Sequence, residues 1–199
     1  PSRELWPPHP SFFAFGAAGI DYDPAAPEPA EWPAFLRKLW PDDQASIETL
    51  QEILGYLISA ETAQQKIFFL HGVPRSGKGT IGRVVTQLLG PGRVAAPGLG
   101  DFGARFGLES LVGKSVAIVA DARLSKRADQ APIVEKMLSI SGEDAITVDR
   151  KYSAPWCGRL GTRLLLLSNE IPSLRDTACA LPNRFVVLKL SESFFGRED

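Results

Sequence analysis

The sequence is poor in sulfur and has no excess of either charge. Two cysteines, Cys157 and Cys179, and one methionine occur in 199 residues. Two isolated cysteines cannot build a disulfide scaffold, and they lack metal-ligand spacing. A reduced, intracellular protein is the simple expectation. The net charge is −1, so overall basicity gives no argument for nucleic acid or a membrane surface. Long apolar runs are missing too. Runs such as Leu164–Leu167 fall far below the ~20 residues of a membrane span. Residues 1–20 have no basic segment followed by an apolar one, which excludes an evident signal peptide. No internal repeat is visible. The chain opens on Pro1 rather than methionine, which reads as a processed or excised fragment.

What remains is an ordinary globular composition, 44% hydrophobic and 23% charged. It supports a real core and excludes disorder, collagen and coiled coil for the whole chain. The length fits one large domain or one domain with a small extension. Charge is divided along the chain. Residues 1–66 carry 4 basic and 10 acidic side chains, whereas residues 67–190 carry 17 basic and 10 acidic. Nine of the 16 prolines lie in residues 1–41. Pro24, Pro27, Pro29 and Pro33 punctuate a stretch expected to run extended over a surface. A short helix follows, with Trp32, Phe35, Leu36, Leu39 and Trp40 on one face. A longer one is expected from Asp43 to Ser59, capped by Asp42 or Asp43, with Ile47, Leu50, Ile53, Leu54, Leu57 and Ile58 at helical spacing. This divides the chain at residues 1–62, an extended segment and small helical module, and 63–199.

The second part reads as alternating strands and helices. Strands are expected at Ile67–Leu70, Val116–Ala120, Leu164–Leu167 and Phe185–Leu188. Helices are expected at about Thr80–Leu89, ended by Gly90 and Pro91, and over residues 131–140. Continuous apolar strands between helices predict an α/β fold with a parallel central sheet covered on both faces.

The strongest chemical signal is Gly72-Val73-Pro74-Arg75-Ser76-Gly77-Lys78-Gly79-Thr80, between a strand and a helix. Glycines let successive amides turn inward onto phosphate oxygens, and the helix N-terminus adds positive potential. Lys78 would neutralise the β- and γ-phosphates. Gly79 intervenes before Thr80, the magnesium candidate. Asp121, at the end of the Val116–Ala120 run, would hold magnesium through water; otherwise it caps the next segment. Asn169 ends the Leu164–Ser168 run. It would reach the γ-phosphate or attacking water if its strand lay beside the phosphate-loop strand, and otherwise serves a turn.

The order of these parts resembles a superfamily-3 helicase. The parts are the strand and P-loop, strand and Asp121, a basic hairpin-like stretch, strand and Asn169, then Asn183-Arg184-Phe185. More narrowly, it resembles the ATPase domain of phage and plasmid primase–helicases related to the poxvirus primase–helicase. Leu50-Gln51-Glu52-Ile53-Leu54-Gly55-Tyr56 and Ser139-Ile140-Ser141-Gly142-Glu143-Asp144 agree with it. The resemblance covers about residues 20–199 and implies an AAA+ P-loop fold, ATP and Mg²⁺, and a hexameric ring on single-stranded or forked DNA. It implies a primase domain or partner, no membrane, and the cytoplasm of a bacterial host. Lys78 and Thr80 would bind nucleotide, Asp121 would be the Walker B acid, Asn169 the sensor and Arg184 an arginine finger toward a neighbour. Arg150, Lys151 and Tyr152 fall on the hairpin that meets DNA.

The sequence departs from the family at three places. Ser76 stands where Asn is frequent, and Ala120 stands where a second acid is usual, with Glu143 or Asp144 as possible substitutes. Family members also continue with helices beyond the last residues here, so a truncated domain is expected. Two alternatives stay open. One is a nucleoside monophosphate kinase, suggested by Pro74 and Gly77-Lys78-Gly79-Thr80. The other is an ATP-binding, DNA-binding module with little hydrolysis.

Overall fold

The computed structural model describes His9 and residues 23–124, 129–172, 174 and 179–196. Two helices come first, α1 (Glu31–Leu39) and α2 (Gln44–Ile58). Strand β1 (Ile67–Gly72) leads into α3 (Lys78–Leu89). Then come β2 (Val94–Ala95), β3 (Val116–Val119) and α4 (Ala131–Ser141). A hairpin of β4 (Ala145–Arg150) and β5 (Ser153–Arg159) precedes β6 (Arg163–Ser168) and β7 (Phe185–Leu190). Trp6 lies outside the described residues; of the prolines expected in an extended stretch, Pro24, Pro27 and Pro29 precede the first helix, whereas Pro33 falls in the first turn of α1, where a proline's missing amide costs no helical hydrogen bond.

The five-stranded sheet has the order β2-β3-β6-β1-β7, and all its pairs are parallel. Alternation of side chains divides each strand between two cores. Ile67, Phe69, Ala117, Val119, Leu164 and Leu166 face α4 and the Leu99–Gly103 turn. Phe68, Leu70, Val116, Ile118, Leu165 and Leu167 face the other way, onto α1, α2 and α3. The fold is therefore a three-layered α/β sandwich, the architecture expected from buried parallel strands.

The acidic helical segment shares that second core rather than packing on itself alone. Leu36 and Leu39 of α1 and Leu50, Ile53 and Leu57 of α2 are almost fully buried in it. Burying one such side chain contributes about 2 kcal/mol. Trp40 adds a directional tie, because its indole Nε1 donates to the Lys189 carbonyl of β7 at 2.7 Å. Of the two capping candidates for α2, Asp43 does the capping. Its Oδ1 accepts from the Ser46 amide at 3.0 Å and its Oδ2 from the Ser46 hydroxyl at 2.6 Å. Ile58 has the right spacing for the apolar face but is the last helical residue and is half exposed.

Candidate nucleotide site and hairpin

The P-loop leaves the carboxyl end of β1, where parallel α/β sheets bind their ligands. Gly77 caps α3 with φ +86°, and a Cβ there would lie 3.0 Å from both Phe35 and Leu39 of α1. Gly72 pairs with Leu190, and a Cβ there would lie 2.2 Å from the Leu190 carbonyl oxygen. Residues following β7 hold the outer side of the loop. The Val73 amide donates to the Leu190 carbonyl at 3.3 Å, the Ser193 hydroxyl to the Pro74 carbonyl at 3.1 Å, and the Phe194 amide to the Arg75 carbonyl at 3.0 Å. The loop is thus wedged between α1 and the segment after β7, a packing no motif signals.

Lys78 is turned back into this loop. Its Nζ donates to the carbonyls of Gly72 at 2.8 Å and Val73 at 2.7 Å, and to the Ser76 hydroxyl at 3.0 Å. Those three bonds use all its donors. Lys78 and Ser76 are both buried, and desolvation lowers the Lys78 pKa. A cation held by neutral oxygens alone, beside the free amides of a helix start, offers an anion site.

The other expected residues fall at two ends of the sheet. β6 does lie beside β1, with His71 opposite Ser168. Asn169, the next residue, is exposed beside the P-loop strand, and its side chain makes no hydrogen bond among the described residues. Asp121 follows β3, on the far side of β6. Arg123 grips its carboxylate, with Nε at 3.0 and 2.9 Å and Nη2 at 2.6 Å. That contact holds the Asp121 carboxyl below its usual range. Thr80 Oγ1 accepts from Arg83 Nη2 at 2.9 Å. Among the described residues, no group of three or more His, Cys, Asp or Glu is placed to hold a metal alone.

Arg184 lies at the opposite end. It precedes Phe185, which pairs with Ile67 at the start of β1. With strand residues rising ~3.3 Å each, it sits about 20 Å from its own chain's P-loop. Its Nη1 donates to Gln65 Oε1 at 2.9 Å, the Ser141 carbonyl at 3.2 Å and the Gln65 carbonyl at 3.4 Å. Glu143 occupies the same end, bonded to Thr62 and paired with Arg159 at 3.2 Å. It is therefore placed away from the phosphate loop of its own chain.

The Val148–Tyr152 stretch forms the hairpin tip. Arg150 pairs with Ser153 and its Nε donates to the Ala154 carbonyl at 2.9 Å. Lys151 and Tyr152 make the turn, and Tyr152, with φ +58°, is fully exposed. Three residues that sequence reading missed brace this tip. Arg105 pairs with Asp149 at 3.2 Å, Glu109 accepts from the Lys151 amide at 3.3 Å, and the Phe106 ring lies under both Arg105 and Lys151. Only the alternation of charge and aromatic in Arg105-Phe106 hinted at them.

These features define a class by fold: an α/β protein with a parallel five-stranded sheet flanked by helices. A family model described as a family of unknown function, DUF5906, matches residues 70–184, more than half of the chain. The chain belongs to that family. No curated protein matches it in sequence. Among solved structures, the apo C-terminal region of NrS-1 is similar with a TM-score of 0.68 at 13% identity, covering 81% of this chain and 38% of that one. A JCV helicase with a bound small molecule is similar with a TM-score of 0.57 at 16% identity, covering 82% of this chain and 45% of that one. Another JCV helicase structure gives a TM-score of 0.52 at 17% identity, with 82% and 44% covered. The chain thus spans less than half the length of these structures, and at such identities the likeness is one of fold. Among the described residues, no helix is long and apolar enough to cross a membrane.

Proposed function

We propose that the chain is the ATPase part of a DNA helicase or translocase of the phage or plasmid replication type, working as a ring with ATP between subunits. The observation that carries this reading is one fold with two features. It holds a buried, glycine-cradled Lys78 at the loop after β1, next to the strand whose end bears Asn169, and it presents a braced basic hairpin with an exposed aromatic tip. The reading takes residues 63–199 as the ATPase unit and the segment before them as a module docked on it.

The residues suit a nucleoside triphosphate with magnesium. The amides of Gly72–Thr80 and Lys78 would hold the phosphates, and Thr80 and Asp121 would face the metal. Such a metal needs only one or two protein ligands, because phosphates and water supply the rest. When bound, ATP and Mg²⁺ supply the transferable phosphoryl group and screen its charge. Lys78 would then exchange its carbonyl partners for phosphate oxygens, whose negative charge would offset its desolvation. Asn169 would orient water without adding charge. Arg184 lies too far away to serve its own loop, so its place in the reading is a neighbour's site. At the hairpin, Lys151 would meet phosphates and Tyr152 would stack on a base.

The test is ATP turnover with and without single-stranded DNA, across protein concentration, beside Lys78→Ala. The reading expects turnover that rises with both and vanishes in the variant. Dependence on a nucleoside monophosphate acceptor would instead indicate the kinase. The binding-only module has one observation in its favour, since Ala120 supplies no second acid and Asp121 is engaged by Arg123. It expects tight ATP binding, no turnover, and hydrolysis gained on Ala120→Glu.

A further inference from the structure

We infer that Gln65 is the positioning residue for Arg184, holding one side of its guanidinium so that the other faces a neighbouring subunit's phosphate. This rests on the reading of Arg184 as a residue acting in trans. Gln65 is not glycine, yet its backbone sits at φ +53°, where L-residues are uncommon. Its amide donates to the Thr62 carbonyl at 3.0 Å, closing a turn just ahead of β1. The turn aims the side chain at residues remote in sequence.

Both ends of that side chain are used. Oε1 accepts from Arg184 Nη1 at 2.9 Å, and Nε2 donates to the Gly142 carbonyl at 3.2 Å. The bond from Nε2 fixes which way the amide points, so the acceptor is presented to the arginine. The Arg184 guanidinium is held by Nη1 alone: its three side-chain hydrogen bonds among the described residues all leave from that nitrogen. The edge formed by Nε and Nη2 makes no hydrogen bond among the described residues. That edge is one of the guanidinium's two-pronged faces, the kind that takes a phosphate in a bidentate grip. Neutrality of the brace matters as well. No carboxylate pairs with Arg184 among the described residues, and Glu143 is taken up by Thr62 and Arg159. An amide holds the arginine while leaving its charge available.

The experiment compares steady-state ATP turnover of the full chain with DNA for wild type, Arg184→Ala, Gln65→Glu and Gln65→Gly. Gln65→Glu keeps an acceptor, adds a cancelling charge and loses the bond to Gly142. Gln65→Gly removes the arm and suits the left-handed turn, so it separates the brace from folding. A misplacement of about 1 Å costs about 10²-fold in rate, and that loss in kcat is expected for Gln65→Glu with KM for ATP unchanged. Gln65→Gly should fall in the same direction with its melting temperature retained. Wild-type kcat in both Gln65 variants, with turnover lost in Arg184→Ala, overturns the positioning role alone. A change confined to KM does the same. Full kcat in Arg184→Ala overturns the underlying reading of Arg184, as does a wild-type chain that hydrolyses no ATP.

Discussion

The two ends of the central sheet treat their cations differently. At the carboxyl end, Lys78 is closed upon itself, with every donor on a loop oxygen. At the amino end, the Arg184 guanidinium is tied by one nitrogen and makes no hydrogen bond from its Nε–Nη2 edge among the described residues. Under the proposed function, the difference follows from what each group would wait for. A loop cation would be kept in place until a ligand arrived within its own chain, and local carbonyls do that at low cost. A residue that acts on another chain would be held without being used up. The same contrast runs through the acids: Asp121 is gripped by Arg123 near the carboxyl end, and Glu143 by Arg159 at the amino end, so neither pairs with Lys78 or Arg184.

This contrast can be broken from either side. The largest expected effect is on turnover. Arg184→Ala should lower kcat by about 10³-fold, the scale of a lost arginine finger, with ATP binding retained. Lys78→Ala should abolish binding and turnover together, as nucleotide titration would show. Next comes Gly72→Ala. A Cβ 2.2 Å from a carbonyl oxygen must push β7 away from the loop. Such overpacking costs about 3 kcal/mol, readable as a lower denaturant midpoint at constant slope. Tyr152→Ala touches neither end. Its ring is fully exposed, so stability should not change, while single-stranded DNA binding should weaken by about 1–3 kcal/mol if the ring stacks on a base.

The smallest effect is the pH dependence of the α2 cap. Bonds from Ser46 hold the Asp43 carboxyl below its ordinary value of 3.8. A lowered folded pKa means that the charged cap contributes fully above the unfolded value and is lost as pH falls through the folded one. Asn still caps without charge. The melting-temperature gap between wild type and Asp43→Asn should therefore be widest above about pH 4 and close below it. A gap that persists in more acidic solution would show that the charge plays no part.

Much of the frame was legible because its causes are local. Apolar runs marked β1, β3, β6 and β7, and helical spacing marked α1, α2 and α4. Glycine and lysine spacing marked the P-loop. The neighbour relation between β1 and β6 is a property of the sheet, which periodicity does not encode. Gln65 was silent for the same reason. Its meaning lies in a backbone angle and in bonds to Gly142 and Arg184, far along the chain. Arg105, Phe106 and Glu109 reach the hairpin tip only after folding. The strap of residues 190–194 across the loop likewise rests on two backbone hydrogen bonds and one from the Ser193 hydroxyl to a loop carbonyl, none of which an apolar pattern encodes.

The most direct test of a site shared between chains is to mix two inactive variants. Lys78→Ala keeps an intact Arg184 and Arg184→Ala keeps an intact P-loop. ATP turnover is then followed as the ratio of the two is varied at fixed total protein with DNA. The account predicts turnover in the mixture that neither variant shows alone, greatest near equal amounts. Mixtures that stay as inactive as their components, while wild type turns over, would contradict it.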